Sequence, residues 1–387
     1  MARHDEWPTT QPHEAAGEEQ AIRTLPVVFT GSGNDYFRIW IASLALTLVT
    51  LGLYWPFARA RRLAWFHAHT RVGKDALAFH GDPWTMFRGH LVMVVLGLLY
   101  WAVSEFEPSL AWVPLLVLVL LWPALWRASL RFRLRNTSWR GVRLAFVGNT
   151  AGAYAAWLPL FIPMLVLVGL VPAADENGEI SREAARRFAF LAGVLTLCVL
   201  LLAPWLLKRL KRFQHDGYAC SHEQTRLHAG TSAFYGLAFG FFSLAVRVAL
   251  VALAVSLLFH LLLPGQVTAL LTTLTSYLLV PLLLWPWFTA HLQNLLWNHT
   301  WSRRVRFNSD LSFGRLVALT AGNWLLIAVT LGLYWPFAEV RKARLKLHAM
   351  SVDIEGDVTA WLAQVDGRLD GAMGDAAGDF LGIDMGL

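Results

Sequence analysis

The chain has 387 residues, 56% of them hydrophobic and only 15% charged, with 19 Trp and a formal charge of +7 at pH 7. Ordinary soluble domains carry about 25% charged residues, so composition excludes a soluble globular protein. Two isolated cysteines, Cys198 and Cys220, exclude a disulfide framework and a cysteine-based zinc site.

In chain order, residues 1–26 are polar, with Pro8, Pro12 and the run EAAGEE. They predict a disordered tail and lack the short apolar core of a signal peptide. Eight stretches nearly free of charge follow, at 39–55, 91–103, 110–126, 153–171, 188–207, 248–263, 267–290 and 316–337. Crossing the ~30 Å hydrocarbon layer takes roughly 20 apolar residues in a helix. Most of these runs meet that length or approach it, 91–103 only with its flank from Arg88. The expected fold is an all-α polytopic membrane protein with six to eight transmembrane helices in repeated hairpin units. Residues 27–356 form its membrane domain, and the Gly- and Asp-rich stretch 357–387 reads as a flexible tail.

The sequence VTLGLYWPFA occurs twice, at 49–58 and 329–338. It belongs to a wider repeat in which a Pro, usually after Trp, ends an apolar run: Trp55-Pro56, Trp122-Pro123, Ala203-Pro204, Trp285-Pro286 and Trp335-Pro336. Tyr and Trp prefer headgroup depth, and Pro breaks helices where water can satisfy freed carbonyls. Tyr54, Trp55, Pro56, Trp122, Pro123, Trp285, Pro286, Tyr334, Trp335 and Pro336 therefore read as interface anchors. A basic, aromatic-rich stretch follows each Pro, and then a short alternating segment ending in Phe-x-Gly or a relative. These are Phe79-His80-Gly81, Phe146-Val147-Gly148, His228-Ala229-Gly230 and Phe307-Asn308-Ser309, with Phe29-Thr30-Gly31 as an orphan start. Such segments read as short β-hairpins, too polar for lipid and expected to pack together.

The two terminal units carry one apolar run where the middle units carry two. Either 39–55 and 316–335 span fully, or both dip in and return with TLGLYWP at the bend. Connections on the Pro side hold the Lys and Arg, 21 against 3 on the opposite side. Lys- and Arg-rich loops stay cytoplasmic, where anionic headgroups favour them. That accounts for the basic charge without nucleic acid. Anionic membrane lipids are the expected partners.

FTGSGNDYFRIW, TLGLYWPFARARR, the HT of FHAHT, and FHGDP together resemble the YjgN family of bacterial inner-membrane proteins. The resemblance runs from about Val27 to Gly356. It implies an inner-membrane location and a family of unknown function, and supplies no catalytic residues.

Arg247, within FFSLAVRVALVALAV, is the basic residue most clearly enclosed by apolar sequence. It is either an intramembrane functional group or a residue snorkelling to the interface. Asn323 lies in the last apolar run and suits interhelical hydrogen bonding. His67 and His69 diverge on a helix. The stretch HDGYACSHE, with His215, Cys220 and His222, lacks metal-site spacing and reads as a solvated loop. No catalytic constellation, cofactor motif or metal site is expected. The functional expectation is a transporter- or channel-like role. The alternative is a non-catalytic scaffold that binds lipid or a protein partner through its basic loops.

Overall fold

A computed structural model describes residues 22–107, 110, 112–172, 180–220 and 223–356. The expected tail 357–387 and most of the expected N-terminal tail lie outside these residues. Ile22 to Pro26, assigned to that tail from sequence, instead belong to the first strand.

The described chain alternates helical hairpins with β-hairpins. Strand β1 (Ile22–Phe29) leads into α1 (Gly33–Val49) and α2 (Trp55–Ala68), then β2 (Thr70–Val72) and β3 (Asp75–Phe79). Next come α3 (Pro83–Phe106), α4 (Trp112–Arg135), β4 (Thr137–Trp139) and β5 (Val142–Phe146). The third unit is α5 (Thr150–Gly169), α6 (Arg182–Asp216), β6 (Tyr218–Cys220), β7 (Glu223–Gln224) and β8 (Arg226–Leu227). The fourth is α7 (Thr231–Leu262), α8 (Gly265–Asn298), β9 (Thr300–Trp301) and β10 (Val305–Ser309). Helices α9 (Phe313–Val329) and α10 (Trp335–His348) and strand β11 (Met350–Glu355) complete the repeat.

Every strand pairing is antiparallel, in the order β7-β6-β5-β4-β3-β2-β1-β11-β10-β9-β8. Only Thr225 separates β7 from β8. That one segment pairs with β6 at Gln224 and with β9 at Arg226 and Leu227, so the circuit of strands closes. Its seam is β1 against β11, the first and last described elements. Val27, Trp139, Val142, Val352 and Ile354 are buried in one cluster, with Val72, Leu77, Cys220, Val305 and Phe307 packed on it. Strands β1 to β6, β10 and β11 thus share a single apolar cluster.

The helices follow the same circuit. Each packs on its chain neighbours, and α10 packs on α1. Five apolar clusters join consecutive returning helices. Val340 of α10 meets Trp65 and Phe66 of α2; Ala60 and Leu63 of α2 meet Phe132 of α4. Trp126 and Leu130 of α4 meet Leu210 and Phe213 of α6; Leu207 of α6 meets Leu292 and Leu296 of α8. Ala290 of α8 meets Leu345 of α10 and closes the ring. The strand-proximal parts of α2, α4, α6, α8 and α10 are therefore a ring of five above the strand circuit.

The repeat has a fixed register. Pro56, Pro123, Pro204, Pro286 and Pro336 each stand 14 positions before the first residue of the next strand: Thr70, Thr137, Tyr218, Thr300 and Met350. At 1.5 Å per residue, each Pro sits about 21 Å from the strand layer. One backbone bond recurs in all five units: Thr30, His80, Val147, His228 and Asp310 donate N–H to the carbonyls of His69, Asn136, Gly217, His299 and Ala349. The helix ends are capped from within. Thr70, Thr137 and Thr300 donate Oγ1–H to the carbonyls four residues back, at 2.7–2.8 Å. His69 and His299 contact carbonyls four residues back through Nδ1, and Asn136 donates to one through Nδ2. Carbonyls that a helix C-terminus leaves orphaned thus explain the His-Thr and Asn-Thr pairs.

This register corrects two expectations. The distance from Pro to the last strand residue is 23 in four units, ending at Phe79, Phe146, Leu227 and Ser309. The third and fourth motifs are therefore Leu227-His228-Ala229 and Ser309-Asp310-Leu311, not those starting at His228 and Phe307. Size is traded within the motif. Phe29, Phe79 and Phe146 lean over Gly31, Gly81 and Gly148, where a Cβ would come within 2.4–2.7 Å of the ring. Where Ser309 replaces the Phe, buried Leu311 replaces the Gly.

Second, the Pro residues do not end helices in the middle units. Pro123, Pro204 and Pro286 lie inside α4, α6 and α8, which run on to the strand layer. In the terminal units the helix starts at the Pro instead. Thus VTLGLYWPFA forms a bend, at which α1 and α9 fold back into α2 and α10. The two copies match closely. Leu51 and Gly52 have φ of 50° and 92°; Leu331 and Gly332 have 51° and 93°. Gly52 and Gly332 donate N–H five residues back at 2.8 Å. Thr50 Oγ1 accepts from Tyr54 N–H while donating to Leu46, and Thr330 repeats this with Tyr334 and Leu326. Two consecutive left-handed residues fix the reversal, and the Gly meets that demand at low steric cost.

Candidate functional site

The bends set the height of the terminal hairpins. Helices α1 and α9 have 17 residues each and reach about 26 Å from the strand layer. Helices α7 and α8, with 32 and 34 residues, reach about 50 Å. The two short hairpins are neighbours. Phe37 of α1 stacks on Phe337 of α10 at 5.5 Å between centroids. Tyr36 donates its hydroxyl to Glu339 at 2.9 Å, and Arg344 donates to the Gly31 carbonyl at 2.8 Å. One sector of the helical ring is therefore low, with Leu51 and Leu331 at its tips, 93% and 94% exposed.

Below those tips, the ring of returning helices gathers charge. Lys342 and Lys346 lie one turn apart on α10; Lys211 is on α6 and Arg133 on α4. Lys346 feels the charges of both Lys342 and Lys211, and Lys211 that of Arg133. Arg133, Lys211 and Lys346 are half-buried. Burial first, and then the neighbouring Lys342 and Lys211, hold the Lys346 ammonium below the usual lysine range. Among the described residues, Lys211, Lys342 and Lys346 have no carboxylate within ion-pair distance. Lys211 donates to Gln214 Oε1 at 3.1 Å. The acid nearest in sequence on α10, Glu339, is engaged by Arg62 at 3.4 Å, Tyr36 and Trp335. At its lower end the interior is closed by the apolar cluster of the strand circuit, on which Leu347 also packs.

The sequence-predicted residues sit elsewhere. Arg247 lies exposed midway along α7 and donates to the Ser243 carbonyl at 3.2 Å. Asn323 is buried on α9 and accepts from Arg341 at 3.0 Å; the same guanidinium reaches Tyr334 Oη at 3.1 Å. In the first copy the equivalents are Ser43, Arg61 and Tyr54. Here Arg61 lies over the Tyr54 ring, while Ser43 Oγ and Tyr54 Oη are buried without partners. Replacing Asn323 with Leu should cost about 1–2 kcal/mol, the worth of a charged hydrogen bond that water partly replaces. Ser43→Asn should gain by giving Arg61 an acceptor, and the two melting temperatures check both signs.

Among the anchors, Trp55, Trp285 and Trp335 are more than half exposed while Pro123, Pro286 and Pro336 are fully buried. These prolines are packing elements and these three tryptophans point outward, whereas Trp122 is half-buried against Trp157. HDGYAC is not a solvated loop. His215 is buried at the end of α6, with Nδ1 2.9 Å from Thr300 Oγ1, and Tyr218 and Cys220 form β6. Thr300 spends its own proton on Leu296, so His215 is the donor. Burial pushes the Cys220 thiol up to about 11, which keeps it protonated and unreactive at neutral pH. Ser221 and His222 lie outside the described residues. No group of three or more His, Cys, Asp or Glu converges among the described residues.

Sequence reasoning missed Arg133, Lys211 and Lys346 because it counted them as loop charges. The Pro register carries the signal. They stand 10, 7 and 10 positions after Pro123, Pro204 and Pro336, one helical face across three units.

Among the described residues, six helices (α3 to α8) are long and apolar enough to cross a bilayer. With their exposed apolar surfaces, they make this a polytopic helical membrane protein. The chain belongs to a family of bacterial proteins of unknown function, DUF898, whose model matches residues 24–380. It is similar to the inner membrane protein YjgN of Escherichia coli O157:H7, at 29% identity over 39% of this chain and 38% of that protein. YjgN of Escherichia coli strain K12 is 28% identical over the same shares. The Salmonella typhimurium YjgN is 25% identical over 37% of this chain and 36% of its own length. The match thus covers well under half of each relative. No solved structure matches the chain.

Proposed function

We propose that this is a transporter-like protein of the inner membrane, which admits a ligand sideways from the bilayer into the interior ringed by α2, α4, α6, α8 and α10. The observation that carries this reading is the low sector made by two adjacent short hairpins. Helices α3 to α8 wall the rest of the ring, while α1/α2 and α9/α10 stop about 26 Å above the strand layer. In this reading the strand circuit is cytoplasmic, because the Lys and Arg of α2, α4, α6 and α10 lie near it. The short hairpins dip into the inner leaflet and return, which 17 residues permit and a full crossing by both arms does not. The apolar plug of the strand circuit speaks against an open channel.

Single cysteines at Gly73, Leu51, Leu331 and Leu263, in a background lacking Cys198 and Cys220, test this. Membrane-impermeant maleimide should label residue 73 only from the cytoplasmic side and residue 263 only from the opposite side. Residues 51 and 331 should react with neither. Labelling of 51 and 331 from the same side as 263 would make the short hairpins full spans and close the lateral entrance.

A further inference from the structure

We propose that the cleft between β10, β11 and the ends of α8 and α10 binds a small zwitterion, its ammonium on Asp310 and its carboxylate on Arg306. The proposal goes beyond the reading above and does not rest on it. Val305, Phe307 and Val352 pack on the interior cluster, so Arg306, Asn308 and Ser351 face out of the strand circuit.

Three observations carry it. The cleft holds about 400 Å³ and has Asn298, Arg306, Asn308, Asp310 and Ser351 in its wall. Small-molecule sites typically span roughly 300–1,000 Å³. Second, other units close the corresponding place with their own side chains. Asp310 follows its strand as His80 and His228 follow theirs; Ser351 is the second residue of the next strand, as Ser138 and Trp301 are. In the first unit His80 Nε2 lies 2.9 Å from Ser138 Oγ. In the third, His228 stacks on Trp301 at 3.8 Å between centroids. In the fourth, the shorter Asp310 takes the place of the imidazole. No hydrogen bond joins it to Ser351 among the described residues, and both line the cleft. Arg306 and Asn308 likewise stand where the first unit has Ala76 and Ala78.

Third, the fold engages only part of what lines the cleft. Asn298 spends both ends of its amide on the Ser309 backbone, at 3.0 and 2.6 Å. Asn308 donates Nδ2 to Asp353 at 2.6 Å. Among the described residues, Arg306 and Asp310 have no ion-pair partner and Ser351 Oγ has no hydrogen bond. Asp353, opposite Arg306 in register, is already engaged by Thr24 and Asn308. A purely anionic ligand would face Asp310, and a purely cationic one Arg306. A zwitterion gives each a charge-assisted hydrogen bond. Four residues of extended chain set the two α-carbons about 13 Å apart, which favours a spacer of several bonds over the single carbon of an α-amino acid.

The test uses the full chain in an uncharged detergent, with equilibrium binding of radiolabelled 4-aminobutyrate and thermal melting as readouts. The compound should bind and raise the melting temperature, while butyrate and butylamine compete about tenfold more weakly or worse. Asp310 and Arg306 are both exposed, so the fold should survive their replacement. Asp310→Asn and Arg306→Gln should each weaken binding about tenfold or more, and Arg143→Gln, on strand β5, should bind like the wild type. Asp310→His should rebuild the first unit's contact with Ser351, abolish binding and melt at or above the wild type, which separates loss of the site from loss of the fold. No binding of 4-aminobutyrate, or binding that neither Asp310→Asn nor Arg306→Gln weakens, overturns the site. So does butyrate or butylamine binding as tightly as the zwitterion.

Discussion

Phe29→Ala should destabilise the protein by about 3–5 kcal/mol, the range for deleting a buried aromatic ring. Phe29 is 2% exposed and ends the strand that closes the circuit. Its ring stacks on Phe66 at 5.5 Å and meets Trp65 edge-on at 5.8 Å. Loss of the ring opens a cavity under Gly31 at the joint between α2, α10 and the seam. The Ser309-Asp310-Leu311 copy of the motif suggests how to refill it, because buried Leu311 occupies there what Phe fills in the three Phe-x-Gly copies. Phe29→Ala/Gly31→Leu should therefore recover part of the loss, provided the Trp65 ring, whose edge would lie 2.6 Å from the new Cβ, shifts into the space that Phe29 leaves. Ala is preferable to Ser, whose hydroxyl would lack the Asn294 and Gln293 partners of Ser309. Melting of the wild type, both single variants and the double variant in detergent gives the coupling between the two positions. A double variant no better than Phe29→Ala would show that the motif is not a volume pair.

How much of this was legible in the sequence depends on whether the signal was local. Apolar length finds the six long helices, because crossing a bilayer is a demand on consecutive residues. The repeat is visible for the same reason: Pro, Thr and Gly recur at fixed offsets set by helix rise and capping. Register failed where chemistry was exchanged between positions. Phe307 looks like the motif's Phe, but the pairing Ser309↔Met350 ends the strand two residues later. The closing of the strand circuit is invisible, since it depends on Gln224 and Arg226 pairing to opposite neighbours across a single residue. The nearness of some basic residues is hidden for a related reason. Lys211 and Lys346 lie 135 residues apart in sequence, and only the fold brings the charge of one to bear on the other.

Leu51→Asp and Leu331→Asp distinguish the two environments of the hairpin tips by the sign of the effect. Both leucines hold a left-handed φ, which costs a branched apolar side chain roughly 1 kcal/mol and an Asp less. If the tips stood in water, Asp would relax the backbone, remove an exposed apolar group and leave stability unchanged or raised. Inside the hydrocarbon, an Asp costs about 2.5–3.5 kcal/mol by insertion measurements. That outweighs the backbone gain. The neighbours favour the second case: Leu48, Val49 and Val329 are 67%, 82% and 72% exposed, and a cluster of bare aliphatic side chains at a loop tip needs cover. In protein reconstituted into liposomes, each Asp variant should melt well below the wild type, and Leu331→Asn should fall between them because it shares the backbone relief without the charge. The effect should also shrink as pH falls toward about 4, because lipid raises the carboxylate's pKa above its ordinary value and the protonated acid enters lipid at lower cost. Asp variants that melt at or above the wild type would place both tips in water and leave the low sector as a gap outside the bilayer.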